Sequence, residues 1–358
     1  MGSNEHGLAA PRPVSQQVTT ARATLFVTII VVLTLLSLEG GIRIWSYYFR
    51  SSHEVFNASK GRYEPVPGVH ISGNAPPLVV NSKGFIGEEF EVEKPKDVYR
   101  IFSIGDSCTF GIWEYTYPGL LHKMLNAERP GNKFEVINAG VEGYHSGFAL
   151  ARLKEDVLQY HPDLVTIYVG WNDFMKANPE NLAETGRFAS LARLMEQSYL
   201  IKAYKKVIFS YVRPLIAKPN VVSTTEDLHA YDNFESPEFL ANLLDMSRIL
   251  KTNHIKALIM TRPTVVREGM SQEDIKRQNV MFPWYGNAYS VNKLLSLHRA
   301  YNRMIRTVAE QEGIPLVDLD AEFEKLDKYS LFWDTMHPNE KGQRIIADRI
   351  YAKLQEML

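Results

Sequence analysis

Cysteine is almost missing from this sequence. Cys108 is the only one in 358 residues, so no intrachain disulfide forms and no thiolate cluster can hold a metal. A lone thiol is tolerated in reducing and oxidising spaces alike, and beside Ser107 it reads as a small buried apolar residue. Net charge is also missing: the formal value is −1. With no surplus of either sign and no basic stripe interleaved with aromatics, nucleic acid is excluded as a partner. Long charge-free runs are scarce as well. The chain is 45% apolar and 23% charged, a globular balance with material for one large domain and additions to it.

The most apolar of them is TLFVTIIVVLTLLSL, Thr24–Leu38. Apolar character resumes after Glu39 through GGIRIWSYYF, so Ala23–Trp45 as a helix would be about 34 Å long, enough for a bilayer. Glu39 and Arg43 offset each other at i, i+4, and Trp45, Tyr47 and Tyr48 have the composition of an aromatic belt. No pair of small residues follows the apolar core at signal-peptidase spacing, which favours an uncleaved anchor over a signal peptide. A buried soluble helix is the other reading. Arg12 and Arg22 on one side balance Arg43 and Arg50 on the other, so charge does not orient the segment. Position alone suggests a single pass through a bacterial inner membrane, with the bulk of the chain periplasmic. Residues 1–22, rich in Gly, Pro, Ser and Gln, read as a disordered tail. Residues 46–97 read as an extended connector packed on the main domain, with its clearest strand at Leu78–Ser82.

From Val98 onward short apolar runs alternate with amphipathic stretches. Strands are expected at Tyr99–Ile104, Phe134–Gly140, Leu164–Gly170, Ile255–Thr261 and Ile314–Asp320. Helices are expected near Tyr117–Ala127, Phe148–Tyr160, Pro237–Asn253, Val291–Glu312 and Asn339–Met357. This alternation implies a parallel sheet with helices on both faces. Two insertions interrupt it. Residues 174–236 contain a helical, lysine-bearing stretch with Lys202, Lys205 and Lys206, a lid, a substrate platform, a membrane-surface helix or an extra packed helix. Residues 263–290 follow the fourth strand and, with Arg262, Arg267, Trp284 and Tyr285 nearby, border the expected site.

The strand ends of a parallel sheet converge on one edge, where open α/β sheets place ligands. The first strand runs into Gly105-Asp106-Ser107. After the second comes NAGVEGYHS, where Gly143 allows close backbone approach. After the third comes Gly170-Trp171-Asn172-Asp173. Near the C-terminus WDTMHPNEKG sets Asp334 and His337 three residues apart, just before the last helix. These residue types suit acyl transfer. A serine hydroxyl needs a base to take its proton, and a histidine titrating near neutrality fills that role. The imidazole needs an acceptor on its other nitrogen, which Asp334 can supply. An oxyanion needs fixed donors, here the backbone N–H of Ser107 and of Gly143 and the amide of Asn172. His122 and His145 read as structural or solvent-facing.

The blocks Gly105–Gly111, Asn138–Gly143, Gly170–Asp173 and Asp334–Pro338 resemble those of SGNH (GDSL-type) hydrolases. The likeness covers residues 100–358 apart from the insertions. Asn81–Phe90, NSKGFIGEEF, also resembles the lead-in of membrane-anchored bacterial members. The resemblance implies a three-layer α/β/α flavodoxin-like fold with a five-stranded parallel sheet, and neither metal nor cofactor. It also implies Ser107 as nucleophile, His337 as base, Asp334 as its partner, and Gly143 and Asn172 completing the oxyanion hole. The leading expectation is a membrane-anchored serine esterase acting on a lipid or an O-acylated envelope glycan. An O-acetyltransferase of an envelope polysaccharide uses the same chemistry, and a non-catalytic scaffold with membrane protein partners is the reading from another class.

Overall fold

The structure is a computed structural model that describes residues 14–49, 54–57, 59–71, 78–111, 115–128, 133–176, 198, 200–201, 204, 225–282 and 290–358. It divides into two compact units, Met1–Ser51 with Glu184–Lys218, and Ser52–Ala183 with Pro219–Leu358.

In the first unit α1 runs unbroken over Val14–Phe49. It begins nine residues before the anchor expected at Ala23 and ends beyond Trp45, since no proline interrupts it after Pro13. The tail expected over residues 1–22 is therefore helical from Val14 on. Within α1, the 23 residues Arg22–Ile44 are long and apolar enough to cross a membrane. Their large side chains stand exposed, Leu36 to 62%. Glu39 bonds Arg43 at 2.8 Å, and its other oxygen accepts from Ser198 Oγ and Leu200 N.

The second unit opens with two small antiparallel ribbons. β1 (Glu54–Asn57) pairs with β2 (Arg62–Pro65), and β3 (His70–Ile71) with β4 (Leu78–Val79). The strand expected over Leu78–Ser82 stops early. The Asn81 carboxamide accepts from Lys83 N and Phe85 N and turns the chain.

The main sheet has five strands, β5 (Val98–Gly105), β6 (Lys133–Asn138), β7 (Leu164–Tyr168), β8 (Lys256–Met260) and β9 (Leu316–Val317). They lie in the order β6-β5-β7-β8-β9, every pair parallel. The central strands read as near-continuous apolar runs because both faces are covered. α3 (Tyr117–Glu128) and the C-terminal helix Glu340–Met357 cover one face. Helices Ser146–Arg152, Pro237–Thr252 and Val291–Glu312 cover the other. This is the doubly wound α/β/α arrangement, with strand order reversing at β5.

Two elements differ from the periodicity. The helix expected at Phe148–Tyr160 is α-helical only over Ser146–Arg152, then passes through a π turn at Leu153–Val157 and a 3₁₀ turn at Leu158–Tyr160. The fifth strand is two residues rather than Ile314–Asp320. Asp318 leaves the edge to cap a helix at Leu319–Phe323, accepting from Ala321 N. The lysine-bearing part of the 174–236 insertion, with Lys202, Lys205 and Lys206, lies outside the described residues, as do Trp284 and Tyr285.

Candidate active site

β5 delivers its C-terminal end to the reversal point of the sheet. There Asp106 caps a single helical turn, α2 (Ser107–Phe110), its carboxylate accepting from Cys108 N at 3.0 Å. As first residue of that turn, Ser107 has no intrahelical acceptor for its N–H. Asn138, at the end of β6, donates from Nδ2 to Thr109 O (2.8 Å) and Phe110 O (3.2 Å) and so closes the far end of the turn. Gly140 follows. A Cβ there would stand 2.3 Å from Phe110 N, so only glycine lets the second loop lie against the turn.

Ser107 Oγ lies 2.8 Å from His337 Nε2, and His337 Nδ1 lies 2.7 Å from Asp334 Oδ2. The three side chains, 230 residues apart at the extremes, form one hydrogen-bonded line. Asp334 Oδ1 also accepts from Met336 N and His337 N, which curls the loop so that the imidazole faces back toward the serine. Trp333 N–H donates to His337 O and Asn339 N–H to Leu331 O, closing the loop's neck. Burial raises the Asp334 carboxyl, but the hydrogen bond and charge of His337 with the two backbone donors outweigh it and hold the group below its ordinary value. The carboxylate is therefore ionised at neutral pH and orients the ring through the nitrogen that does not face Ser107.

The two remaining expected residues sit on the adjoining loops. Gly143 takes φ +69°, a left-handed conformation that favours glycine. Asn172 lies in the first turn of the helix Trp171–Lys176 and donates one N–H from Nδ2 to Tyr144 O at 3.1 Å. A carboxamide carries a second N–H. Asp173 accepts from Ser146 N and Ser146 Oγ and locks the two loops to each other.

Cys108 is buried and its Sγ meets Met336 O at 3.3 Å. Burial first, then the charge of Asp106, pushes its thiol well above the ordinary value, so no thiolate competes with Ser107. His145 caps the helix Ser146–Arg152 by accepting from Gly147 N, and His122 Nδ1 accepts from Val136 N. Both imidazoles thus accept from backbone N–H groups.

Three supporting residues had no catalytic or oxyanion role assigned from the sequence, although Arg262 was expected near the border of the site. Arg262 is fully buried, pairs with both oxygens of Asp106 at 2.9 and 3.0 Å and donates to Tyr168 O at 2.6 Å. Gln343 accepts from Tyr117 N and donates to Cys108 O, tying the last helix to the nucleophile turn. Thr335 O accepts from Val265 N and Thr264 Oγ1, holding the histidine loop from the segment after β8. A charge ending an apolar strand marks Arg262 in the sequence. Nothing local marks Gln343, which looks like any polar helix residue. Among the described residues no group of His, Cys, Asp and Glu is arranged to hold a metal.

The profile of a family described as GDSL-like lipase/acylhydrolase matches residues 103–345. An acetylxylan esterase of Geobacillus stearothermophilus is 23% identical over 264 residues, 69% of this chain and 90% of that protein. An isoamyl acetate-hydrolyzing esterase of Saccharomyces cerevisiae is 22% identical over 228 residues, 62% of this chain and 70% of the other. The solved structure of an acetylxylan esterase from Geobacillus stearothermophilus is 21% identical, with a TM-score of 0.43, covering 72% of this chain and 94% of its own.

Proposed function

Because the chain belongs to the GDSL-like lipase/acylhydrolase family of ester hydrolases, we propose that it works as a serine esterase whose reacting groups are Ser107, His337 and Asp334. The observation that supports this most directly is the line from Ser107 Oγ through His337 to Asp334, at 2.8 and 2.7 Å. In the reaction, Oγ attacks the ester carbonyl carbon while His337 Nε2 takes its proton. The oxyanion is held by the N–H groups of Ser107 and Gly143 and the second N–H of Asn172, donors fixed before charge develops. Collapse expels the alcohol, protonated by His337, and leaves an acyl group on Oγ. Water then attacks that acyl group with His337 again as base, releasing the acid and the free serine.

The substrate class follows from two supports. The relatives named above act on acetyl groups of xylan and on isoamyl acetate, so a small acyl group on an alcohol oxygen fits this chain. The exposed apolar stretch Arg22–Ile44 fits a bilayer anchor, which would set the esterase at a membrane face. An O-acylated envelope glycan or a lipid ester, met outside a bacterial inner membrane, satisfies both. The test is labelling of the full chain in detergent with a fluorophosphonate probe, followed by mass mapping of the adduct. Label on Ser107 with hydrolysis of p-nitrophenyl acetate supports the reading, and no label and no hydrolysis overturns it.

A further inference from the structure

The loop Val141–His145 carries Gly143, whose Cα faces open space. A Cβ added at Gly143 would meet nothing within 4 Å. Its neighbours on either side are held by a segment from outside the stretch that the family matches. Glu54, at the head of β1 and buried, accepts from Glu142 N at 3.1 Å. Tyr144 Oη donates to Tyr63 O on β2 at 2.6 Å, and Tyr144 O in turn accepts from Asn172 Nδ2 at 3.1 Å. Both expected loop donors of the oxyanion hole thus reach the β1–β2 hairpin within one or two residues.

The hairpin itself is pinned. Arg62 is 1% exposed and binds Glu155 and Asp156 at 2.7 Å each, while Lys60 reaches Asp156 at 2.6 Å. Those two carboxylates sit on the π turn Leu153–Val157, which continues the helix that begins at Ser146, directly after the loop. Hairpin, loop and helix therefore close a ring of contacts, with the loop's conformation fixed from both ends.

We propose that the β1–β2 hairpin is a positioning element of the active site: Glu54 and the Tyr63 carbonyl hold the Glu142–Tyr144 backbone so that the Gly143 N–H and the Asn172 amide stand ready for the oxyanion. The proposal rests on the esterase reading given above. Its physical basis is that an oxyanion donor contributes most when it needs no reorganisation as charge develops. Glu54 touches no substrate and acts through Glu142.

The test uses the full chain in detergent with p-nitrophenyl acetate, comparing Glu54→Ala, which removes the acceptor, with Glu54→Gln, which keeps a carbonyl oxygen. Expected for Glu54→Ala is a kcat about tenfold lower or less, with KM within about twofold, and markedly faster amide exchange over 141–145 but not over β5. Glu54→Gln should recover most of the lost kcat. Wild-type kcat or unchanged loop exchange in Glu54→Ala overturns the proposal, as does a glutamine variant as impaired as the alanine one or exchange raised equally in β5. If the unaltered chain hydrolyses no ester, the functional reading falls on its own, and the exchange comparison still decides whether Glu54 fixes the loop.

Discussion

The guanidinium of Arg262 and the carboxylate of Asp106 form a fully buried pair directly beneath the nucleophile turn, at 2.9 and 3.0 Å. Asp106 spends one of the same oxygens on Cys108 N, so the ion pair is also the cap of the turn that carries Ser107. Arg262 stacks on the Tyr168 ring at 3.8 Å, donates to Tyr168 O, and its own carbonyl accepts from Asn302 Nδ2. One side chain thereby ties the ends of β5, β7 and β8 together.

Removing one partner of such a pair leaves an uncompensated buried charge. Arg262→Met should therefore destabilise the chain by about 3–5 kcal/mol and lower kcat with it. Urea denaturation followed by circular dichroism, with ester hydrolysis under native conditions, checks both. A midpoint equal to that of the parent would mean the pair contributes nothing.

Asp334→Asn keeps the loop's shape but replaces the ionised acceptor of His337 Nδ1 by an amide. Hydrolysis should fall by a factor on the order of 10⁴, with folding retained, the scale found when a triad aspartate is replaced in this way. Steady-state kinetics on a p-nitrophenyl ester measures it, and a loss under tenfold would remove Asp334 from the reacting set.

The same residue predicts a pH dependence of stability. The folded-state pKa of Asp334 is depressed, so its contribution is fully present above the ordinary carboxylate pKa and is lost as pH falls through the folded value. The stability gap between the parent and Asp334→Asn should be constant near neutrality and shrink below about pH 4. Denaturant titrations between pH 3 and pH 7 would show it, and a gap that widens in acid would contradict the sign.

Gly140→Ala places a methyl group 2.3 Å from Phe110 N, a backbone atom that cannot swing aside. The nucleophile turn must shift, at a cost of about 1–3 kcal/mol in stability and with loss of activity out of proportion to it. Thermal melts alongside fluorophosphonate labelling rates separate the two effects. Full activity would show that the turn accommodates the methyl.

Arg22–Ile44 should keep the chain in the membrane fraction of cells through alkaline carbonate washing, because desolvated apolar side chains resist charge and salt. Release into the supernatant would assign the helix to some other contact.

The sequence by itself determined the elements that depend on periodicity and local chemistry. The strand order in the chain, the long helices at Pro237–Thr252, Val291–Glu312 and Glu340–Met357, and the candidate residues Ser107, Gly143, Asn172, Asp334 and His337 were all legible. Each of these candidates lies in a short loop between elements or in the first turn of a helix, where short-range patterning is informative. What only the tertiary structure decided is how those residues are held. Arg262 against Asp106, Gln343 against Cys108, and Glu54 against Glu142 are contacts between segments dozens to hundreds of residues apart. A side chain's partner across such distances is set by sheet order and loop closure, neither of which leaves a periodic trace. The same reason explains the shortened edge strand at Leu316–Val317: Asp318 is drawn off to Arg306 and to its own helix cap, a competition the apolar pattern of Ile314–Asp320 does not record.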